Sequence, residues 1–327
     1  MEAKLDLKDR KIFYLLDENA RMKTPEIAKR VGLSKNAVIY RINRLVQSGV
    51  IRRFHAVSDY QKFGVYSYDL FIKIRSRNEQ RILDYFSKHP NVIWSGTLFG
   101  DWDLFAQIAA RSPEDFARVL DEITVFLSRN LEDYEVKFPI KRIKFDKSVF
   151  DYEKETGYRF RQPKPDYSSI VKLDGLDKKI LRCLNEKDGL TAYNEVAKAV
   201  GASLETTRNR ILAMMRSGVI VKFAPYVSYN KLGLDMYLVF VNFRYLTKET
   251  KDKVYAYIRS NKEIKIGFEF LGKQQIYFLS TVRSTSELES LIKDIKLRFQ
   301  DSVLSAEHML ITQELKLDFF PKALMEL

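Results

Sequence analysis

The alternation of apolar and polar positions between Thr24 and Gly49 predicts two helices joined by a tight turn. Thr24 is a suitable N-cap for the first helix, and Pro25 can take its first helical position, where no backbone N–H is needed. Gly32 is expected to end this helix in the left-handed conformation, which glycine adopts readily. Ser34 can then cap the second helix. The segment therefore predicts a helix-turn-helix arrangement.

The second predicted helix is amphipathic. Apolar residues recur on one face at helical spacing: Val38, Ile42, Leu45 and Val46. The opposite face carries hydrogen-bonding and cationic groups: Asn36, Tyr40, Asn43, Arg44 and Gln47. An outward face of this composition suits the base edges and phosphates of duplex DNA.

This helix and the segment after it carry charge of one sign. Between Ser34 and Arg53 there is no acidic residue, and there are five basic ones: Lys35, Arg41, Arg44, Arg52 and Arg53. Such a field attracts phosphate. We therefore predict DNA contacts from Ser34, Lys35, Asn36, Tyr40, Arg41, Asn43, Arg44, Arg52 and Arg53. The alternative is a solvated basic helix with no nucleic-acid partner.

Flanking patterns predict the rest of a three-helix, winged head. A helix is expected over Asp6–Glu18, with an apolar stripe of Leu7, Ile12, Phe13, Leu15 and Leu16. After Gly49, the extended run from Val50 to Val57 predicts a strand or wing, and this stretch ends at Gly64.

The pattern after Gly64 predicts a βαββαβ body. Strands are expected over Tyr66–Ile74, Asn91–Phe99, Leu104–Ala109 and Asp133–Phe145, and helices over Asn78–His89 and after the N-cap Ser112. This order is ferredoxin-like, with the helices on one side of the sheet.

The whole pattern occurs twice. Ser217-Gly218-Val219-Ile220 repeats Ser48-Gly49-Val50-Ile51 at a distance of 169 residues, and Lys231-Leu232-Gly233 repeats Lys62-Phe63-Gly64 at the same distance. The predicted fold class is α+β, a tandem duplication of a winged helix-turn-helix domain followed by a ferredoxin-like domain. The expected boundaries are 1–60 and 61–145 for the first head and body, 146–171 for a linker with one short strand, and 172–229 and 230–327 for the second head and body.

Composition narrows the choice of partner. The net charge of +13 and the pI of about 9.5 favour a polyanion such as nucleic acid. No run of about 18 apolar residues and no leader is visible, so neither a membrane partner nor secretion is expected. The one cysteine, Cys183, lies on an apolar helix face and is expected in the core. These features fit a cytoplasmic protein.

The motifs together resemble the Lrp/AsnC (leucine-responsive, feast/famine) transcription regulators. They are Ile27–Ser34 in the head, Ser48-Gly49-Val50-Ile51 at its exit and Gly100-Asp101-Trp102-Asp103 in the body. The resemblance implies that the head binds the major groove, and that the body dimerises and binds an amino acid near the hairpin. Two units in one chain resemble a covalent dimer, with the bodies stacked as a pair of sheets. Further homo-oligomerisation is left open.

The two heads are not equivalent. At the repeat distance, Asn36 becomes Glu205, Asn43 becomes Leu212, Arg44 becomes Ala213 and Tyr40 becomes Asn209. A carboxylate repels phosphate, and the lost donors weaken base contacts. We therefore expect the first head to supply most specific contacts to double-stranded DNA. From the second head, contacts are expected from Arg208, Asn209 and Arg216.

The hairpin of the first body is the candidate effector site. Gly100, Asp101 and Asp103 form it, and the two carboxylates can accept hydrogen bonds from the ammonium of an amino acid. The second hairpin has Lys273-Gln274-Gln275 instead, which cannot accept in the same way. The alternative is that Asp101 and Asp103 only form a tight turn.

Two other classes of protein compete with a regulator. Siroheme decarboxylases share this architecture and use His and Arg residues on the body sheet, but the histidines His55, His89 and His308 show no acid-base constellation. We therefore predict no enzyme activity and no cofactor or metal. A pure assembly module is the third class, because the aromatic strands could pack chain against chain. DNA binding at physiological salt separates it from a regulator.

Overall fold

The computed structural model describes residues 2–75, 80–145, 149–159, 169–272 and 275–326. The chain divides into two compact units. One, called the head unit, comprises Met1–Tyr66, Ser148–Leu232 and Asp318–Leu327. The other, called the sheet unit, comprises Ser67–Lys147 and Gly233–Leu317. Heads and bodies alternate along the chain, but each unit collects segments of one kind.

The described residues form helices and strands in the predicted order. The helices are α1 (Leu7–Glu18), α2 (Thr24–Val31), α3 (Lys35–Gln47), α4 (Gln80–Lys88), α5 (Pro113–Leu127), α6 (Glu153–Thr156), α7 (Gly175–Glu186), α8 (Tyr193–Val200), α9 (Leu204–Arg216), α10 (Lys248–Ser260) and α11 (Thr285–Arg298). The strands are β1 (Ile51–Ser58), β2 (Tyr66–Ile74), β3 (Val92–Phe99), β4 (Leu104–Ala110), β5 (Leu131–Lys137), β6 (Pro139–Phe145), β7 (Ile220–Val227), β8 (Asp235–Phe243), β9 (Ile264–Phe270), β10 (Ile276–Val282) and β11 (Val303–Leu317). The α+β tandem fold is confirmed.

Most predicted helix boundaries of the first head are present, with one correction. Gly32 ends α2 with φ 66° and ψ 54°, and the Ser34 hydroxyl accepts the Ala37 N–H, as expected of a cap. Thr24 is not the N-cap of α2. It is the first helical residue, because the extended backbone ends one residue earlier, at Lys23, which makes no side-chain cap bond.

Two apolar positions assigned to the head core are exposed. Leu7 is 55% exposed, because it precedes Leu16 by nine residues and so lies about half a turn away from it around α1. Val46 is 40% exposed, because eight residues separate it from Val38 and place it about 80° around α3. The remaining stripe of α1 is buried, as are Val38 and Leu45 of α3.

The wing strands of the two heads pair with each other. β1 lies antiparallel to β7, with Phe54 opposite Pro225 and Ala56 opposite Phe223. The pattern predicted the first strand but not its partner. Since each strand comes from a different repeat, this two-stranded sheet joins α1–α3 (the first head) to α7–α9 (the second head).

The sheet unit contains a sheet of nine strands among the described residues, in the order β5-β2-β4-β3-β11-β8-β10-β9-β6. Each half follows the ferredoxin order, with its last strand beside its first. The predicted single strand over Asp133–Phe145 was wrong. It divides into β5 and β6, because β5 pairs with β2 of its own half whereas β6 pairs with β9 of the other half.

The segment that ends each half crosses into the other half: β6 pairs with β9, and the second part of β11 pairs with β3. β11 pairs with β8 and then continues along β3. Lys144 on β6 donates to the Asn261 carbonyl at the end of α10, and Lys316 on β11 donates to the His89 carbonyl after α4. Ile143 on β6 likewise belongs to the core around α10 and α11. The two halves are therefore interlocked.

The two halves of the sheet stack face to face, as the resemblance implied. The Phe71 ring on β2 contacts the Phe240 ring on β8 with centroids 5.3 Å apart. Three strands separate β2 from β8 in the sheet, so a flat sheet would hold these positions about 19 Å apart. The sheet must fold over to bring them together. The direct pairing of β3 with β11 was not predicted.

Segments assigned to the linker and to the second body pack in the head unit. Phe150 meets the Phe13 ring edge to face, and the Tyr14 hydroxyl donates to the Tyr158 carbonyl. The described part of the linker contains the short helix α6 and no strand, so the expected short strand is not found there. In the C-terminal segment, which was assigned to the second body, Phe319 stacks on His55 with ring centroids 4.3 Å apart. Burial of these aromatic rings draws the segments to the heads.

Several predicted positions lie outside the described residues: 78–79 of the fourth predicted helix, 146–148 and 160–168 of the linker, and Lys273 and Gln274 of the second hairpin. Among the described residues, no helix has both the length and the apolar character needed to cross a membrane.

Candidate nucleic-acid interface

Helix α3 presents the predicted recognition face to solvent. Its exposed side chains include Lys35, Asn36, Tyr40, Asn43 and Gln47. Tyr40 is 66% exposed, which is unusual for an aromatic side chain without a partner surface. The amide groups can each donate to and accept from a base edge, and the cap residue Ser34 lies at the exposed start of the helix.

Two predicted DNA contacts on α3 are ion-paired inside the head. Arg41 Nη1 lies 2.7 Å from Asp6 Oδ2 and 2.7 Å from Asp9 Oδ1, and Arg44 Nη2 also contacts Asp9. The Asp9 side chain is fully buried, and that of Arg44 remains 45% exposed. The hydrogen bonds that Arg41 donates to the carboxylates of Asp6 and Asp9 raise the pKa of Arg41. Arg41 is thus committed to α1, whereas Arg44 still reaches solvent.

The basic exit of the first head lies against the second head. Arg52 Nη1 donates to the Tyr226 hydroxyl at 3.3 Å, with its guanidinium over that ring. Arg53 Nη1 donates to the Asn185 carbonyl at 2.6 Å. Both residues were predicted to contact DNA, and the structure brings them to the joint between the heads.

The second head has an altered exposed face. Arg208, Asn209 and Arg216 are exposed, together with Glu205 and Ala213 at positions where the first head has Asn36 and Arg44. The surface keeps some cations, but it has gained a carboxylate and lost donors. In general a carboxylate or an alanine complements phosphates and base edges less well than an amide or a guanidinium does.

Sequence reasoning missed the residues that clamp the heads together. Arg21 Nη2 donates to the carbonyls of Gly189 and Thr191 at 2.7 and 3.0 Å. Gly189 N–H donates to the Phe54 carbonyl, and a Cβ added at Gly189 would lie 2.7 Å from the His55 backbone. Only glycine permits this approach. The sequence around Gly189 does not show which backbone approaches it.

The candidate effector hairpin uses one of its carboxylates internally. Gly100 and Asp101 are exposed, but Asp103 is buried, and its Oδ2 accepts the Ile74 N–H at 2.9 Å. In the second half, Gln275 Oε1 accepts the Phe243 N–H at 2.9 Å in the same position. The shared contact shows that this side chain ties the hairpin to the end of the first body strand in both halves.

The first half has a group of polar side chains on β2, β4 and β5 whose matching positions in the second half are apolar. Asp69 accepts a hydrogen bond from Gln107 Nε2 at 2.9 Å and is paired in register with Lys137. Burial raises the pKa of Asp69 to about 7, although Gln107 and Lys137 oppose the shift. The equivalent residues of the second half are Leu238, Leu279 and Met309. Asp69 lies within the otherwise apolar part of β2, and this feature of the sequence could have indicated a buried polar group.

Two of the three histidines, His55 and His89, are buried and serve local packing. His55 is buried under Phe319, and His89 Nδ1 accepts the Asn91 N–H at 3.2 Å. Burial lowers the pKa of His89, against the effect of Glu122, whose Oε1 lies 3.6 Å from Nε2. His308 is exposed on β11.

The chain is similar in sequence to proteins of the helix-turn-helix class. A profile described as winged helix-turn-helix DNA-binding matches residues 5–52 and 173–221, so both heads belong to this class. An uncharacterized HTH-type transcriptional regulator of Pyrococcus abyssi is 33% identical over 37% of this chain and 77% of the regulator. The HTH-type transcriptional regulator FL11 of Pyrococcus horikoshii is 30% identical over a match that covers 38% of this chain and 82% of the length of FL11. The chain belongs to the Lrp/AsnC family.

Each of these Lrp/AsnC relatives corresponds to about one repeat. Over its whole length the chain is similar in fold to the siroheme decarboxylase NirDL, solved in complex with an iron-uroporphyrin III analogue. The TM-score is 0.63, with 16% identity, and the match covers 98% of this chain and 96% of that one. At this identity the likeness concerns the fold alone.

Proposed function

We propose that this Lrp/AsnC protein is a sequence-specific double-stranded DNA-binding transcription regulator, built as a pseudo-dimer within one chain. The observation that carries the proposal is the exposed face of α3, where Asn36, Tyr40 and Asn43 point to solvent on a helix-turn-helix scaffold. Side chains of these types read base edges in the major groove. The net charge of +13 supports association with a polyanion.

The first head supplies most specific contacts under this proposal. Its exposed face combines amides with Lys35 and the partly exposed Arg44, whereas the second head has Glu205 and Ala213 in the matching region. Arg208 and Arg216 leave the second head able to contact phosphate.

The test begins with selection of bound duplexes from a random-sequence library, followed by anisotropy titration of the selected duplex. Asn43→Ala should weaken binding to that duplex by about 5- to 150-fold, because a bidentate amide contact contributes roughly 1–3 kcal/mol. Leu212→Ala is the matched control, since Leu212 takes the same place on α9 and should change binding less than twofold. Failure of the wild type to bind any duplex in low salt would refute the function. Equal losses in the two variants would refute the asymmetry.

The proposal includes modulation by an amino acid at the hairpin of the first body. Asp101 is exposed and can accept from an ammonium group, whereas Asp103 positions the hairpin through Ile74. Titration of each common amino acid against the DNA complex tests this. Asp101→Asn should abolish the response of the effective amino acid without changing DNA affinity in its absence. An unchanged response would remove Asp101 from the site.

A second candidate function is tetrapyrrole chemistry, and it is favoured by the likeness in fold to a siroheme decarboxylase over 98% of the chain. Titration with siroheme, followed by its visible absorbance, distinguishes the two. Saturable one-to-one binding and release of carbon dioxide would support the enzyme, whereas an unchanged spectrum would remove this candidate.

A further inference from the structure

We propose that Arg41 positions the recognition helix α3 and does not contact DNA. Its Nη1 atom bridges two carboxylates of α1, at 2.7 Å from Asp6 Oδ2 and 2.7 Å from Asp9 Oδ1, and the side chain is 22% exposed. A guanidinium held by two carboxylates has little charge to offer a phosphate. This inference rests on the proposed DNA-binding function and assigns a different role to one of its predicted contacts.

The second head repeats the arrangement. Arg210 Nη1 lies 2.6 Å from Asp174 Oδ2 and 3.2 Å from Asp177 Oδ2. Asp174 and Asp6 are both N-caps with a capping box closed by the aspartate three residues later. The second head has Glu205, Leu212 and Ala213 where the first has two amides and Arg44, yet it keeps this bridge. A feature present in both heads, whatever their outward faces carry, belongs to the scaffold.

The bridge fixes how α3 is rotated about its own axis. Arg41 lies directly after Tyr40 and two residues before Asn43, so it holds the turn that carries both. Asp6 and Asp9 stand at the start of α1, where the capping box and the helix dipole hold the two carboxylates in place. Residues that hold a recognition group from behind determine whether it meets its target within hydrogen-bonding distance.

Arg44 differs from Arg41 in a way that makes the assignment testable. It also contacts the buried Asp9, but it is 45% exposed, and the second head has Ala213 in its place. Lys35 is exposed at the start of the same helix. Arg44 and Lys35 are therefore the cations of α3 available to phosphate, and Lys35 provides a control for loss of a phosphate contact.

The experiment uses the full chain, the duplex selected from the random library and a scrambled duplex of equal composition, each titrated over a series of salt concentrations. Arg41→Gln and Asp9→Asn should each weaken binding to the selected duplex at least tenfold. Binding to the scrambled duplex should change less than twofold, and the slope of log K against log salt should stay the same. The variant that combines Arg41→Gln with Asp9→Asn should bind the selected duplex no more weakly than either single variant. Lys35→Gln should instead make the negative slope of log K against log salt shallower by about 0.9 on both duplexes, as expected for loss of one phosphate contact.

Two controls separate positioning from loss of folding. Arg210→Gln removes the matching bridge in the second head and should lower the thermal unfolding temperature as Arg41→Gln does, with less than threefold loss on the selected duplex. Asp6→Asn retains the Asp9 contact and should show an intermediate loss. Equal binding losses in Arg41→Gln and Arg210→Gln would indicate a general effect of stability and overturn the inference.

A different pair of results would show that Arg41 contacts DNA. If Arg41→Gln lowers the salt slope by about 0.9 on both duplexes, and Asp9→Asn binds as well as or tighter than the wild type, then Arg41 contacts phosphate and only this inference fails. Absence of binding by the wild type would overturn the proposed function, and the inference with it.

Discussion

At the scale of single residues, the duplication provides an internal comparison of each position. Asp103 and Gln275 occupy the same place in the two halves, and each accepts a backbone N–H at the end of the first body strand. An aspartate and a glutamine share only the ability to accept this bond. The common role is therefore structural, and a carboxylate is not needed for it.

This comparison makes a prediction for Asp103. Asp103→Ala should lower the free energy of unfolding by about 1–3 kcal/mol, because it leaves the Ile74 N–H without its acceptor in a buried site. Asp103→Asn should cost less than about 1 kcal/mol, since the amide oxygen can accept the same bond. Urea unfolding measures both. Equal losses in the two variants would show that the charge matters.

At the scale of elements, strands β2, β4 and β5 carry a buried polar group where β8, β10 and β11 carry Leu238, Leu279 and Met309. The apolar version shows that the sheet does not need the polar group to pack. Because burial raises the pKa of Asp69, this residue should make the stability of the sheet depend on pH.

The direction of this dependence follows from the pKa of Asp69, which burial raises from 3.8 to about 7. The folded protein binds more protons than the unfolded chain between these values, so the Asp69 contribution lowers stability as pH rises from about 4 to about 7. The loss is on the order of 4 kcal/mol. Asp69→Asn should remove this part of the pH profile of unfolding. The exposed Asp133→Asn is the control, and an unchanged slope in Asp69→Asn would contradict the prediction.

At the scale of the whole molecule, the two repeats are held together by exchanged and shared strands. β1 pairs with β7 in the head unit, and β6 with β9 and β11 with β3 in the sheet unit. Each of these pairs joins a strand of one repeat to a strand of the other. A single repeat therefore leaves unpaired strand edges, which favour association.

A chain divided between residues 163 and 164 tests this arrangement. Coexpressed as separate polypeptides, the two repeats should purify as a one-to-one complex, because three strand pairings connect them. Either repeat expressed alone should form homodimers or aggregate. Native mass spectrometry measures the stoichiometry. Two independently folded monomers would contradict the interlocked architecture.

Local physical chemistry made much of this molecule predictable from its sequence. Gly32 must end a helix where φ is positive, Ser34 caps the next one, and the alternation over Tyr66–Ile74 specifies a strand, because these preferences depend on neighbours a few residues away. The repeat was readable from matching motifs, and the outward position of Asn36 and Tyr40 from helical periodicity.

The tertiary structure decided which groups each side chain and each strand contacts. The sequence does not show that Arg41 meets Asp6 and Asp9, that Arg53 meets the second head, or that the strand after Phe138 crosses to β9. These contacts join residues tens to more than a hundred positions apart. A cation has the same local pattern whether its partner is a carboxylate, a carbonyl or a phosphate, so only the folded chain determines which of them it meets.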